Sequence, residues 1–131
     1  VKKLQIEARI IGDMCLNHVI PAAVRYQNIL IENVKGMKDI FGDDYLNYCA
    51  SEIETLKKIS TYINNVSADV EGLVEARKKA NRIEAIAERA KVYSYEVKDM
   101  MDKVRMSADN LEMLIDDEVW PLPKYRELLF F

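Results

Sequence analysis

Histidine is almost missing: His18 is the only one among 131 residues. That excludes the paired Glu-x-x-His set of di-iron helical bundles, which needs two imidazoles. Cysteine is equally sparse. Cys15 and Cys49 with His18 give at most three soft ligands, one short of a structural zinc site,. Neither cysteine belongs to a CxxC pair, and the two read as buried free thiols in a reducing compartment,. Four glycines and three prolines are too few for the many tight turns of a sandwich or barrel,. Positive charge is not in surplus. Nineteen Lys and Arg against 22 Asp and Glu leave a net charge of −3, which disfavours nucleic acid and an anionic membrane surface as partners,. No apolar run nears the ~18 residues of a membrane span, and no GxGxxG or GxxxxGK[ST] loop offers a phosphate cradle,.

What remains is helical periodicity from end to end. Leu4, Ala8, Ile11, Cys15, Ala22, Tyr26, Ile29 and Leu30 recur mostly at steps of three and four, with Ile6, Ile10 and Met14 widening the stripe,. Pro21 removes one backbone donor and crowds the carbonyl of Asn17, so a kink is expected there,. Gly36 is the expected stop, and Asp43 or Asp44 the expected cap of the next helix,. Cys49, Ile53, Leu56, Ile59, Ile63, Val66, Val70 and Leu73 form a second stripe with bundle-like spacing,. A third runs through Ile83, Ile86, Ala90, Tyr93, Val97, Met100, Val104, Leu111 and Leu114, ending before Pro121,. Asn81 is the best corner residue between the last two. The fold expected is all-α: one domain spanning 1–131, an antiparallel up-down-up bundle with long helices over about 2–35, 44–80 and 84–119, and an extended aromatic tail over 120–131.

The polar clusters have plain explanations. Cys15 lies three residues before His18, but no third group is placed to orient a catalytic pair,. Asp116-Asp117-Glu118 opposes the dipole at a helix C-terminus and suits pairing with Lys124 or Arg126,. Arg77-Lys78-Lys79 with Arg82 can meet a phosphate or an acidic partner; Glu71, Glu75, Glu84 and Glu88 flank it at helix spacings and suit intrahelical pairs,.

The tail is different. Trp120, Pro121, Pro123, Tyr125, Leu128, Leu129, Phe130 and Phe131 concentrate apolar surface behind two stiffening prolines,. At about 25 cal/mol per Å² buried, docking these groups contributes several kcal/mol, so they are the expected packing or interaction residues. Composition and spacing alone indicate a structural or interaction module. One version is a standalone adaptor that binds a partner helix through an apolar groove.

Three stretches carry a resemblance. Ile6-Glu7-Ala8-Arg9 leads into Asn17-His18-Val19-Ile20-Pro21-Ala22-Ala23-Val24-Arg25-Tyr26-Gln27; Glu75-Ala76-Arg77-Lys78-Lys79-Ala80-Asn81 follows; Asp116-Asp117-Glu118-Val119-Trp120-Pro121-Leu122-Pro123-Lys124-Tyr125-Arg126-Glu127-Leu128-Leu129-Phe130 closes the chain. Together they resemble the C-terminal region of type III glutamine synthetases, the long bacterial form. The resemblance runs nearly end to end, and its last stretch is the most specific.

It implies a cytoplasmic parent enzyme of nitrogen metabolism that ligates ammonia to glutamate with ATP and a divalent metal, Mg or Mn. It also implies a ring homo-oligomer, in which this region packs on the catalytic domain of its own chain or on neighbouring subunits. The parent family's metal and nucleotide ligands lie upstream, so no catalytic, cofactor-binding or metal-binding residue carries over to this chain. The opening Val1-Lys2-Lys3-Leu4 has neither an initiator Met nor a signal pattern, which reads as a fragment of a longer polypeptide that is inactive alone,.

Overall fold

A computed structural model describes residues 2–120. It is all-α, with three helical rods packed together. The first rod comprises α1 (Lys2–Met14), a π-helical turn (Cys15–Val19) and α2 (Ile20–Phe41). A 3-10 turn (Gly42–Asp44) leads into α3 (Leu46–Asn81), the second rod. The third comprises α4 (Ile86–Val92), a second π-helical turn (Tyr93–Val97) and α5 (Lys98–Glu112).

Side-chain bonds fix the directions. Gln5 donates to Asn81 (3.0 Å) and Gln27 to Ser60 (2.8 Å), so the first two rods run in opposite senses. Lys79 meets Glu96 (3.1 Å) and Ser107 donates to Asp69 (2.5 Å), which reverses the chain again between the second and third rods. The core lies where all three rods meet. It includes Val19, Ile59, Val66, Leu73, Tyr93, Val97, Val104 and Leu111, each effectively sealed from water. Burying one such side chain fully stabilises the fold by roughly 1.5–3 kcal/mol.

Several sequence expectations need correction. The first rod does not stop at Gly36, which lies inside α2; it stops at Gly42. Gly42 has φ 61, the only positive φ among the described residues, and that left-handed conformation favours glycine,. Neither Asp43 nor Asp44 caps α3. The capping position is Tyr45, with no side-chain bond to the helix amides, and Asp44 accepts from the Asn47 side chain instead. At Pro21 the chain adjusts just upstream. The turn at Cys15–Val19 widens until the Ile20 amide bonds to the Cys15 carbonyl five residues back, and Pro21 then enters α2 at a position without a donor to lose,. α3 bends at Cys49, whose φ of −136 and ψ of 24 leave the helical region.

The third rod ends at Glu112 rather than 119. Beyond it the Asp116 carbonyl accepts from the Val119 and Trp120 amides in a turn. Three successive acidic side chains at a helix C-terminus oppose the macrodipole, which favours ending the helix before them. The stripes also hold exceptions. Ile6, Ile10, Ile29 and Ile86 are exposed, Ile86 by 81%.

The third rod is shorter than the other two, and α2 rests mainly on α3. Between Ala23 and Cys49 no residue is fully buried. The second half of α2 and the first half of α3 therefore form a two-helix arm extending past the three-rod core. At about 1.5 Å per residue, the whole first rod is close to 60 Å long.

Candidate functional site

The chemistry-bearing residues singled out in the sequence are distributed over several parts of the fold. His18 is exposed on the first π-helical turn, whereas Cys15 on that turn is buried. Burial pushes the Cys15 thiol up to about 11, so it stays protonated at neutral pH,. Cys49 is buried in the arm and donates to the Tyr45 carbonyl (3.2 Å). Burial, and then the nearby Glu52 carboxylate, raise its pKa as well. A protonated thiol is a poor nucleophile and a poor metal ligand. Among the described residues, no three His, Cys, Asp or Glu side chains converge into a metal-binding group.

The basic patch is divided among different tasks. Lys78 pairs with Glu75 one turn back (3.9 Å), as the flanking-glutamate expectation had it. Lys79 reaches across to Glu96 on the third rod. Arg77 borders a groove of about 450 Å³ between α1 and α3, also lined by Arg9, Asp13 and Leu16. The acidic run folds locally: the Asp116 carboxylate accepts from the Glu118 amide at 3.0 Å. Its expected partners Lys124 and Arg126 lie outside the described residues. So do Pro121, Pro123, Tyr125, Leu128, Leu129, Phe130 and Phe131. Trp120 is described. It is 8% exposed and joins the core, bordering the cleft lined by Cys15 and Val19 of the first rod and Val104 and Ala108 of α5.

Two features carry no motif. The first is a polar node where the rods meet the α3–α4 corner. The Asn81 side-chain oxygen accepts both from Gln5 of the first rod and from the Tyr93 hydroxyl of the third. Arg89 secures the same corner by donating to the Ile83 carbonyl (2.8 Å). Asn81 is legible as a corner residue, but its partners are 76 and 12 residues away and leave no local trace.

The second is the arm tip. Phe41 and Tyr48 stack with ring centroids 4.2 Å apart, and Lys38 sits over the Tyr45 ring. Ile40 (75% exposed), Leu46 and Tyr48 face water around them. Sequence periodicity does not find this cluster because it spans a turn. These features position and present surfaces; they do not form an acid-base pair or a nucleophile.

The profile of the glutamine synthetase C-terminal domain family matches residues 1–38. A glutamine synthetase of Bacteroides fragilis (strain YCH46) is 46% identical over 129 residues, covering 98% of this chain. A type-3 glutamine synthetase of Dictyostelium discoideum is 27% identical over 98% of the chain, and a glutamine synthetase of Butyrivibrio fibrisolvens 28% over the same share. In each case the chain spans 18% of the relative's length. No helix of the described residues is long and apolar enough to cross a membrane. These matches identify the chain as a glutamine synthetase C-terminal domain, with a type-3 enzyme among its relatives.

Proposed function

We propose that this chain is the non-catalytic structural part of an ATP-dependent glutamine synthetase, and that it supports packing or oligomer assembly of that enzyme. The observation that carries the reading is the arm: two helices project past the core and end in an exposed apolar tip of Ile40, Phe41, Leu46 and Tyr48. Large apolar groups clustered on an extended surface mark interaction sites. The glutamate, ammonia, ATP and divalent metal chemistry belongs to the remaining length of the polypeptide. This domain contributes geometry: a stiff spacer with a contact surface at its far end. Its partners are the catalytic domain of the same chain and neighbouring subunits of a ring, in a cytoplasmic enzyme. The antiparallel order of the rods sets where those surfaces lie. The aromatic tail from Trp120 through Phe131 is a further contact element, anchored by the Trp120 ring.

Glutamine formation is the test. The 131-residue chain alone is expected to make none above a no-protein control, while the full-length enzyme makes glutamine and loses activity when the domain is deleted. Glutamine synthesis by the isolated chain, or full activity after deletion, would overturn the proposal.

A further inference from the structure

One stripe of α2 runs out of the three-rod core and onto the arm. It starts at Ala22, which is fully buried, and continues through Ile29 (52% exposed), Asn33, Gly36 and Ile40 (75% exposed). From Ile29 the steps are four, three and four, so these four residues share one helix face,. The steps read the same in both directions. Laid against itself in reverse, the stripe matches level by level: Ile29 meets Ile40 of a second copy, Asn33 meets its Gly36, and symmetry repeats both pairs. The large apolar groups then cover each other at the two ends of the contact.

Gly36 supplies a separate observation. A glycine inside a helix weakens it, and Gly36 does not take the positive φ that would call for glycine. A Cβ built there would meet nothing within 4 Å among the described residues. Packing within the chain therefore gives no reason to omit the side chain, whereas close approach of another backbone does. The Asn33 amide of the second copy lies over the gap, and one polar group in an apolar seam fixes orientation. Charge points to the same direction. Residues 36–52, toward the tip, carry four acids and one base, while 24–34 and 53–63, nearer the core, carry three bases and two acids. Antiparallel order sets each acidic tip beside the more basic part of the other arm; parallel order sets acid against acid.

We infer that two copies of this chain pair through α2 in antiparallel order, crossing where Asn33 of each meets Gly36 of the other, with the two-fold axis between residues 34 and 35. This rests on the reading of the arm as a contact element and names what one face of it contacts. From Ile29 to Ile40 the stripe is about 17 Å long. That is short for a stable free dimer, so the pairing acts between copies already held together in the larger enzyme.

The test is thiol cross-linking of the full-length enzyme with a short bifunctional reagent, the parent enzyme treated alike as baseline. Cys15 and Cys49 are buried and do not compete. The double variant Ile29→Cys/Ile40→Cys is expected to form covalent dimers at least about tenfold faster than the parent, at a rate independent of protein concentration. Each single variant should stay at the parent's level, because antiparallel order holds like positions about 17 Å apart. Dimers from the single variants overturn the antiparallel order. A rate that rises with concentration, or no dimers from the double variant, overturns the pairing. Gly36→Leu, added to the double variant, should slow cross-linking about fivefold or more by blocking the close approach. In the 131-residue chain the same substitution should leave the melting temperature unchanged or raise it. Undiminished cross-linking overturns the crossing at Gly36. The mass of the full-length enzyme carrying Ile40→Asp and Leu46→Asp separates the two levels. A smaller assembly without cross-links means that the arm contacts another part of the enzyme, and only the pairing of copies falls. Unchanged mass without cross-links removes the contact reading as well.

Discussion

The Tyr93 hydroxyl donates to the Asn81 side-chain oxygen at 2.5 Å, from a ring with no exposed surface. The same oxygen accepts from Gln5, so one amide at the end of α3 ties all three rods together. A buried phenol needs such a partner, and here the partner is the corner residue itself. Tyr93→Phe keeps the ring and removes the donor, while Asn81 retains Gln5. The expected destabilisation is about 1 kcal/mol. Tyr93→Ala also empties the ring's space and should cost about 3–5 kcal/mol. Urea unfolding of the two variants measures both. Equal losses would mean the ring's packing contributes nothing beyond the hydroxyl.

Gly72 tests packing of α3 on α5. A methyl group at this position would come within 2.5 Å of the Met100 terminal carbon. That carbon ends a flexible side chain that can swing away. Alanine also gains helix propensity of roughly 0.5–1 kcal/mol over glycine. Gly72→Ala should therefore change stability by less than about 1 kcal/mol, and Gly72→Leu should destabilise by about 1–3 kcal/mol through overpacking. Thermal melting decides between these. A large loss for alanine would mean Met100 cannot move.

The Cys15 thiol gives a pH dependence with a definite sign. Burial raises it from 9.0 to about 11. Between those values the folded chain holds a proton that the unfolded chain has released, so stability falls as pH rises through this window. The difference corresponds to a few kcal/mol, all of it present below pH 9. Cys15→Ala should remove this part of the slope and leave that of Cys49, whose thiol pKa is also raised by burial. Identical slopes for the two proteins between pH 9 and 11 would contradict the buried thiol.

Hydrogen exchange should divide the chain. Residues 24–48 contain no fully buried side chain, while Ile59, Val66, Leu73, Val97 and Val104 are sealed in the core. Regions with few buried apolar contacts open at lower free energy. Amides of the arm should exchange well before those of 59–80 and 97–111. Uniform protection along α2 would show that the arm is as cooperative as the core.

How much of this was legible follows from what sequence period reports. The three stripes, the all-α class and the Asn81 corner follow from local spacing, and the fold carries them. Gly36 and Gly42 look alike in a sequence. Only Gly42 takes a left-handed φ, and that choice depends on where the turn must form. The π-helical turns at Cys15–Val19 and Tyr93–Val97 insert a residue into the period and so appear as minor irregularities of the stripe,. Ile29 and Ile86 fit the period yet face water, because the neighbour that would bury them is absent at their level of the bundle. The arm tip is invisible for a related reason. Its exposure comes from the third rod ending at Glu112, and the acidic run after it hints at that stop only weakly. The Arg77 groove needs the approach of α1, about 65 residues away in sequence, which no pattern within α3 announces.

As proposed, this domain contributes contact geometry to a larger enzyme. The most direct measurement is the mass of the full-length assembly in solution, by light scattering, for the parent and for a variant carrying Ile40→Asp and Leu46→Asp at the exposed tip. Both positions face water, so the domain should keep its fold and helical content. The double variant is expected to shift to smaller species, with intact helical signal and a matching loss of glutamine formation. Unchanged mass and unchanged activity in the double variant would rule out a contact role for the tip.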